Sequence, residues 1–447
     1  MSDWNLPPGL PHSLPYYAFQ PWLKLGEPIL IFEHLQRNYG SIAHYRLMGT
    51  PIIFINEPDY VREILVTQAS SFVKERTVRR MKILLGEGLI TSDDPVHIRQ
   101  RRIVAPAFHR QRIAAYSDEI VASASRHAAQ WQQGEAIDIS AAMMALSLEI
   151  VARTLFNTEV TSDISRINDE VNTIMDLYNF LVVFPRMESV LHLPIPGIIK
   201  FRRSRARLDA VVNGLIAEHK ATNVDRGDLL SMLIASRDED GSALSDQQIR
   251  DEVLTIFLAG YETTANALSW TWYLLSQNPE AESRLYAEID AVLNGRLPTL
   301  TDYAALRYTE QVFAESMRLY PPAWAMGRMS TQPVTLGPYR IPPGAHFFMS
   351  QYMISRKPEF YPDPLRFDPD RFTPEAKAAR PRFAYFPFGA GSRQCIGESF
   401  AWMEGVLAIA TIASRWRMTY LDSAPPVPQA KITLRPRDPM MMRLAPR

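Results

Sequence analysis

The sequence predicts a mainly α fold with small β-sheets, and three observations carry that reading. From about Asp93 to Leu319 apolar residues recur with the helical period. Short alternating segments punctuated by Gly and Pro lie on either side of that stretch. No repeat, low-complexity tract or Gly/Ser linker divides the chain. The 447 residues are therefore expected to form one domain, with a β-rich portion at about 1–70 and a helical core and C-terminal portion at about 71–447.

The elements follow in order. "ILIFEHLQRNYG" has helical spacing, and "IAHYRLM" and "PIIFIN" read as two strands joined at Gly49-Thr50-Pro51. In "LSDQQIRDEVLTIFLAGYETTANALSWTWYLLSQNP", Ser245 and Asp246 supply capping side chains and Asn278-Pro279 stops an unusually long helix. "VTLGPYRIPPGAHFFMSQ" reads as paired strands. A last helix is expected from about Ile396 to Arg415, with short strands closing the chain.

Composition narrows the function classes. Lys plus Arg (48) equals Asp plus Glu (48), so no whole-chain field favours nucleic acid or an anionic membrane. A single cysteine makes no internal disulfide and no zinc cluster, as suits a reducing compartment. The proline-broken N-terminus has no basic segment followed by an apolar run, and runs such as "GVLAIATIA" fall far short of the roughly 20 residues that span a bilayer. A cytoplasmic protein without a transmembrane anchor is expected. The nine histidines form no His-x-x-x-His or Glu-x-x-His pattern, so no second metal is expected.

The one cysteine, Cys395, lies in "FPFGAGSRQCIGESF". A lone cysteine is commonly a small buried hydrophobe. Here glycines would let the backbone approach a flat group closely, a helix N-terminus follows, and Arg393 stands two residues away. These are conditions for a thiolate that binds a metal or acts as a nucleophile.

"FPFGAGSRQCIG" resembles the haem-binding signature of the cytochrome P450 family through Phe388, Gly391, Arg393, Cys395 and Gly397. Three further motifs stand in that family's order, so the resemblance covers nearly the whole chain and implies the cytochrome P450 fold. The first is "ESMR". Glu315 and Arg318 share a helical face, an arrangement also common on solvated surfaces. With Arg371 of "RFDPDRF", the resemblance makes them a buried structural network beneath the haem loop. The second is "AGYETT". Ala259 and Thr263 would suit a packing seam, yet Gly260 weakens a helix interior and Glu262 is costly to bury. The family's oxygen-activation motif makes Glu262 and Thr263 an acid–alcohol pair on a locally distorted helix. The third is "DPVHIRQRRIVAPAFH", in which His97 and Arg101 are four apart and could grip one anion, although the run also suits a solvated basic face. By resemblance His97, Arg101, Arg328 and Arg393 meet the haem propionates.

The resemblance further implies haem b ligated by Cys395, and insertion of one oxygen atom from O2 into a lipophilic small molecule such as a fatty acid or terpenoid. The thiolate pushes electron density onto iron. Only fifty-two residues follow Cys395, so a separate ferredoxin or flavodoxin-type donor and its reductase are expected, with NAD(P)H used indirectly. A haem sensor without turnover and a cysteine-nucleophile hydrolase are the alternatives. A hydrolase needs a base oriented near the thiol, and a sensor has no use for Glu262 and Thr263. The substrate is expected to be lined by Met81–Ile90, Tyr178–Ile199, "IFLAGYETT" and "AWAMG", all predominantly apolar.

Overall fold

The computed structural model describes residues 4–447 apart from 18–19, 21–22, 24–26, 48, 158–169, 171–173, 175–192, 223–225 and 238–240. Most of the expected lining segment at 178–199 thus lies outside the described residues. Within them the chain is helical with four small sheets.

The long helix spans Asp246–Gln277. Ser245 and Gln248 form a reciprocal capping box, satisfying two N–H groups that a helix start leaves open. The helix ends at Asn278, and Pro279 begins the next one, Pro279–Leu293. Its residues are buried on nearly every side, as expected for a helix that is apolar all round. Ile139–Phe156, Arg307–Leu319 and the cysteine helix Glu398–Ala413 pack around it. Trp270 of the long helix stacks on Tyr320 at 3.9 Å and 5°, fixing the end of Arg307–Leu319 against it.

Ile139–Phe156 is the one helix among the described residues that is apolar and long enough to cross a membrane. Its apolar residues are instead core, with Met143, Leu146, Ile150 and Val151 fully buried.

The largest sheet joins both ends of the sequence. Strands β1 (Gly9–Ser13), β2 (Ile42–Leu47) and β3 (Thr50–Ile55) are followed in space by β9 (His346–Met349), β6 (Met326–Ser330) and β4 (Phe72–Lys74). The expected hairpin at Gly49 is the antiparallel β2–β3 pair. β9 runs parallel to β3, with Ile53 opposite Phe347, so the N-terminal strands are completed from the C-terminal half. Val334–Leu336 (β7) and Tyr339–Ile341 (β8) form the expected small hairpin. Near the C-terminus, β11 (Pro428–Ala430) and β12 (Leu434–Pro436) form another, with its turn at residues 431–433. That hairpin is tied inward at three points. Trp324 Nε1 donates to the Lys431 carbonyl at 2.9 Å, Leu434 N–H to the Pro322 carbonyl at 2.9 Å, and Trp270 Nε1 to the Leu434 carbonyl at 3.4 Å.

Candidate active site

The cysteine loop is closed by one backbone bond, Cys395 N–H to the Phe388 carbonyl at 2.8 Å, while the Phe388 ring packs on Trp402 of the following helix. Gly391 has φ +69°, and a Cβ there would strike the Leu65 carbonyl. Gly389 has φ +70° and lies against Met326. Both positions therefore require glycine. The loop holds the Cys395 side chain accessible, with Gly397 at the N-cap of the cysteine helix.

With no metal bound, burial and Glu398 push the thiol up to about 11, outweighing the Gly397 N–H and Arg101. A bound metal cation would reverse the balance, because coordination deprotonates a thiol.

Beneath the loop, the Glu315–Arg318 pair is fully buried and bidentate, at 2.6 and 2.7 Å. The remaining Arg318 hydrogens go to the carbonyls of Ser355, Pro364 and Arg366. Arg371 joins through its Nε, 3.6 Å from Glu315 Oε1, and donates to the carbonyls of Pro362 and Asp363. Asp368 N–H donates to Glu315 at 2.9 Å.

His97, Arg101, Arg328 and Arg393 come together, and Lys74 of β4 joins them. Arg101 Nη1 donates to the Gln394 carbonyl at 2.7 Å, next to the cysteine. Arg393 donates to the Ser92 carbonyl at 2.7 Å and to Asp94 at 2.9 Å. Arg328 donates to the carbonyl of its neighbour Gly327. The cations depress one another. His97 is pulled down to about 3 by burial, then Arg393 and Lys74; Arg328 falls to about 10 through burial and Arg393; Lys74 drops well below its usual value through burial, Arg328 and Arg393. His97 Nδ1 is buried without a hydrogen bond among the described residues, with Asp94 Oδ1 at 3.3 Å. Such a cluster, answered mainly by Asp93 and Asp94, calls for further anions.

On the long helix, four residues between Ile249 and Leu275 escape full burial: Phe257, Ala259, Gly260 and Thr263. The last three lie one turn apart on one face. The helix is continuous through them. Thr263 Oγ1 donates to the Ala259 carbonyl at 2.7 Å, a back-bond of the kind that slightly weakens and often bends a helix. Thr264 is buried, as expected for a residue turned to another face.

Glu262 does not face the Thr263 side. Its Oε1 accepts from the Thr433 hydroxyl at 2.6 Å, at the tip of the β11–β12 hairpin. Burial pushes this carboxyl up, while Thr433, Arg435 and Lys431 pull it down.

Two positions before the motif, invisible as chemistry in the sequence, pin the segment at 86–92. Asp251 accepts from Glu87 N–H at 2.9 Å, and Glu252 from Leu89 N–H at 3.1 Å. A Cβ on Gly86 or Gly88 would run into Asp251 or Thr255. Lys74, Asp251, Glu252 and Thr433 were all missed by sequence reasoning. Only the "GEG" spacing at Gly86 and Gly88 hinted at a close backbone approach.

The family model described as Cytochrome P450 matches residues 7–443. This chain belongs to the cytochrome P450 family. Among characterised P450 relatives it is similar to a cyclooctatin synthase of Streptomyces melanosporofaciens, 39% identical over 411 residues that cover 91% of this chain and 88% of that protein. It is also similar to a pentalenene oxygenase of Streptomyces avermitilis, 36% identical over 414 residues and 92% of each chain. Of solved structures, the cytochrome P450DA haem domain superposes with a TM-score of 0.88 at 25% identity, covering 99% of this chain and 98% of that one. The retinoic acid-bound cyanobacterial CYP120A1 superposes with a TM-score of 0.85 at 24% identity, covering 99% and 100%, and shows the fold. The chain is thus a cytochrome P450 monooxygenase, and haem is the group its family carries. The residues present fit that group: an accessible lone thiol, glycines whose Cβ would fill the loop, and a cation cluster suited to two carboxylates.

Proposed function

We propose that this P450 inserts one oxygen atom from O2 into a terpenoid of apolar, cyclic character, with electrons from a separate ferredoxin or flavodoxin-type protein. The observation that carries the chemistry is the accessible thiol of Cys395 in a glycine loop flanked by Arg101, Arg328, Arg393 and Lys74, with a neutral His97 among them. The substrate class is supported by the relatives' names, cyclooctatin synthase and pentalenene oxygenase, and by apolar side chains at Leu84, Leu89, Ile90, Ala325 and Met326.

Cys395 would hold the haem iron, and His97, Arg101, Arg328, Arg393 and Lys74 would hold its propionates. Bound there by a thiolate, haem supplies the activation of dioxygen. The chain's own contribution is positioning and proton delivery. The partly exposed Ala259–Gly260–Thr263 face carries a hydroxyl that can leave its bond to Ala259 and donate outward. Glu262 is the buried acid from which Thr263 would be replenished. Glu315, Arg318 and Arg371 act only through the loop they support.

A cysteine hydrolase is disfavoured, because the charged groups acting on Cys395 are Glu398 and Arg101, with no imidazole among them.

For the electron donor, a surface groove of about 640 Å³ on the cysteine-loop side is lined by Arg62, Arg382, Phe383, Ala390, Gly391 and Gln394. Arg102 and Arg112 are exposed nearby in sequence to the loop's partner Arg101; the Arg110 side chain is outside the described residues. An acidic donor should dock there, and its first-electron rate should fall with added salt. Arg102→Glu should slow that rate and flatten its salt dependence; an unchanged rate would place docking elsewhere.

The reading as a whole is tested by the reduced, carbon monoxide-bound spectrum and by turnover of cyclic terpene hydrocarbons under labelled dioxygen. A strongly red-shifted Soret band and one labelled oxygen in the product are expected. An unshifted band, or oxygen drawn from water, would overturn it.

A further inference from the structure

Glu262 and Asn266 are one turn apart on the long helix and share a face, both buried. The Thr433 hydroxyl is inserted between them. Asn266 Nδ2 donates to Thr433 Oγ1 at 3.2 Å, and Thr433 Oγ1 donates to Glu262 Oε1 at 2.6 Å. Asn266 donates to one lone pair of the Thr433 oxygen, and the hydroxyl hydrogen has the Glu262 carboxylate as its acceptor. The chain of bonds is therefore oriented, and it ends on a carboxylate. Its last distance lies in the range of a charge-assisted O–H···O⁻ bond.

The hairpin that carries Thr433 is held by the three inward bonds from Trp324, Leu434 and Trp270, so the hydroxyl is presented from a fixed wall. The charged groups facing Glu262 are Lys431 and Arg435 of that hairpin, and on its own helix Tyr261 is the neighbouring titratable group. Lys431 and Arg435 are partly exposed, so the hairpin also connects the buried acid to the protein surface. Thr263 is the next residue along the helix, on the partly exposed face.

We infer that Thr433 is a positioning residue for Glu262, holding its carboxylate toward the C-terminal hairpin as an acceptor, so that the acid is loaded from the hairpin side and released toward Thr263 only when it leaves Thr433. This rests on the reading of Glu262 as the acid that replenishes Thr263. In the step, a solvent hydronium ion at the hairpin gives one proton to the Glu262 carboxylate, leaving water, and the bond to Thr433 breaks. The resulting acid passes its proton to the Thr263 oxygen as Thr263 releases its own hydroxyl proton outward. Glu262 is again a carboxylate and regains the Thr433 hydrogen bond, so the relay closes with one proton carried and no other change.

The test uses haem-loaded parent protein, Thr433→Val, Thr433→Ser and Glu262→Gln. The first readout is independent of turnover: the infrared carboxylic-acid band that Glu262→Gln removes, followed against pH. Thr433→Val deletes the donor at constant shape, so the band should titrate higher by roughly one pH unit, the worth of one hydrogen bond to a charged group. Thr433→Ser keeps the donor and should titrate with the parent. The second readout is product formed per electron pair, expected to fall in Thr433→Val and to recover in Thr433→Ser. Should the valine variant fail to load haem, Thr433→Ala reads the same titration. Parent-like titration in the variant lacking the hydroxyl overturns the role of Thr433, whatever Glu262→Gln does. Parent-like coupling in Glu262→Gln overturns the relay reading instead, and the titration still decides whether Thr433 holds the carboxylate.

Discussion

The cysteine side and the oxygen side of this P450 are built by opposite means. Around Cys395 and Glu315 the constraints are many and end mostly on backbone groups, several of them remote in sequence. Cys395 bonds to Phe388, Arg318 to Glu315, and Arg318 again to three carbonyls. On the long helix the proposed acid and alcohol are adjacent in sequence, Thr263 bonding within its own helix while, among the described residues, Glu262 relies on a single side chain elsewhere. Glu262 is held by Thr433, 171 residues away. A site fastened at many points to backbone carbonyls tolerates few changes at its motif. One made from distant partners can be retuned without touching the motif.

If that contrast is right, the largest effect should come from Cys395. Cys395→Ala should bring oxygen insertion to background, whereas Cys395→His should retain haem with a different spectrum, because nitrogen can ligate but does not push electron density as thiolate does. Substrate-coupled turnover in the alanine variant would remove the cysteine from the site.

Next is Glu315→Ala. It leaves Arg318 fully buried without its carboxylate and takes from Arg371 its nearest anion. Breaking a buried pair on one side costs about 3–5 kcal/mol, a large part of a typical protein's net stability. Little folded, haem-loaded protein should be recovered. Normal haem content and melting temperature would show that the Arg318 carbonyl contacts suffice alone.

Thr263→Ala probes the other side and should be gentler on the fold. Among the described residues its hydroxyl bonds only to its own helix, so folding, haem content and the carbon monoxide spectrum should survive. Electrons should still be consumed, with more released as hydrogen peroxide and less as product. Thr264→Ala is the control, since that side chain is buried on a different face. Uncoupling confined to Thr264→Ala would reverse the assignment.

The same contrast explains what the sequence made legible. The long helix, its Ser245 cap, its Pro279 stop and the β2–β3 hairpin follow from periodicity and turn chemistry, which act over a few residues. Glu315, Arg318 and Cys395 were readable because buried charge and a lone thiol are conspicuous residue types. Lys74 and Thr433 were not, since a lysine in a short strand and a threonine in a hairpin are ordinary until packing places them. At Cys395 the helix end at Gly397 can be read from the sequence, but the burial that raises the metal-free thiol cannot. β9 pairing between β3 and β6 was equally hidden, being a product of tertiary register rather than of local pattern.

Glu404 sits on the seam between the two sides and gives the smallest effect. It lies on the cysteine helix, fully buried, facing the hydroxyls of Ser147 and of Thr264 on the long helix. Neither carboxyl oxygen makes a hydrogen bond among the described residues, and burial pushes the group up to about 8. In the unfolded chain a glutamate titrates near its ordinary value, roughly 4.3. Between those two values the folded protein keeps a proton that the unfolded chain has lost, so stability falls as pH rises through that window. Glu404→Gln places a neutral group of similar shape there and removes this dependence. Its stability should drop less than the parent's between about pH 5 and pH 8. Other groups that titrate in the window, such as Glu252, are common to both proteins and cancel in the comparison. Melting temperatures of the haem-loaded proteins at the two pH values provide the measurement. Parallel pH dependence in the two would mean that the Ser147 and Thr264 hydroxyls already compensate the charge. The joint between the cysteine helix and the long helix would then be polar in practice, not a dry contact carrying a neutral acid.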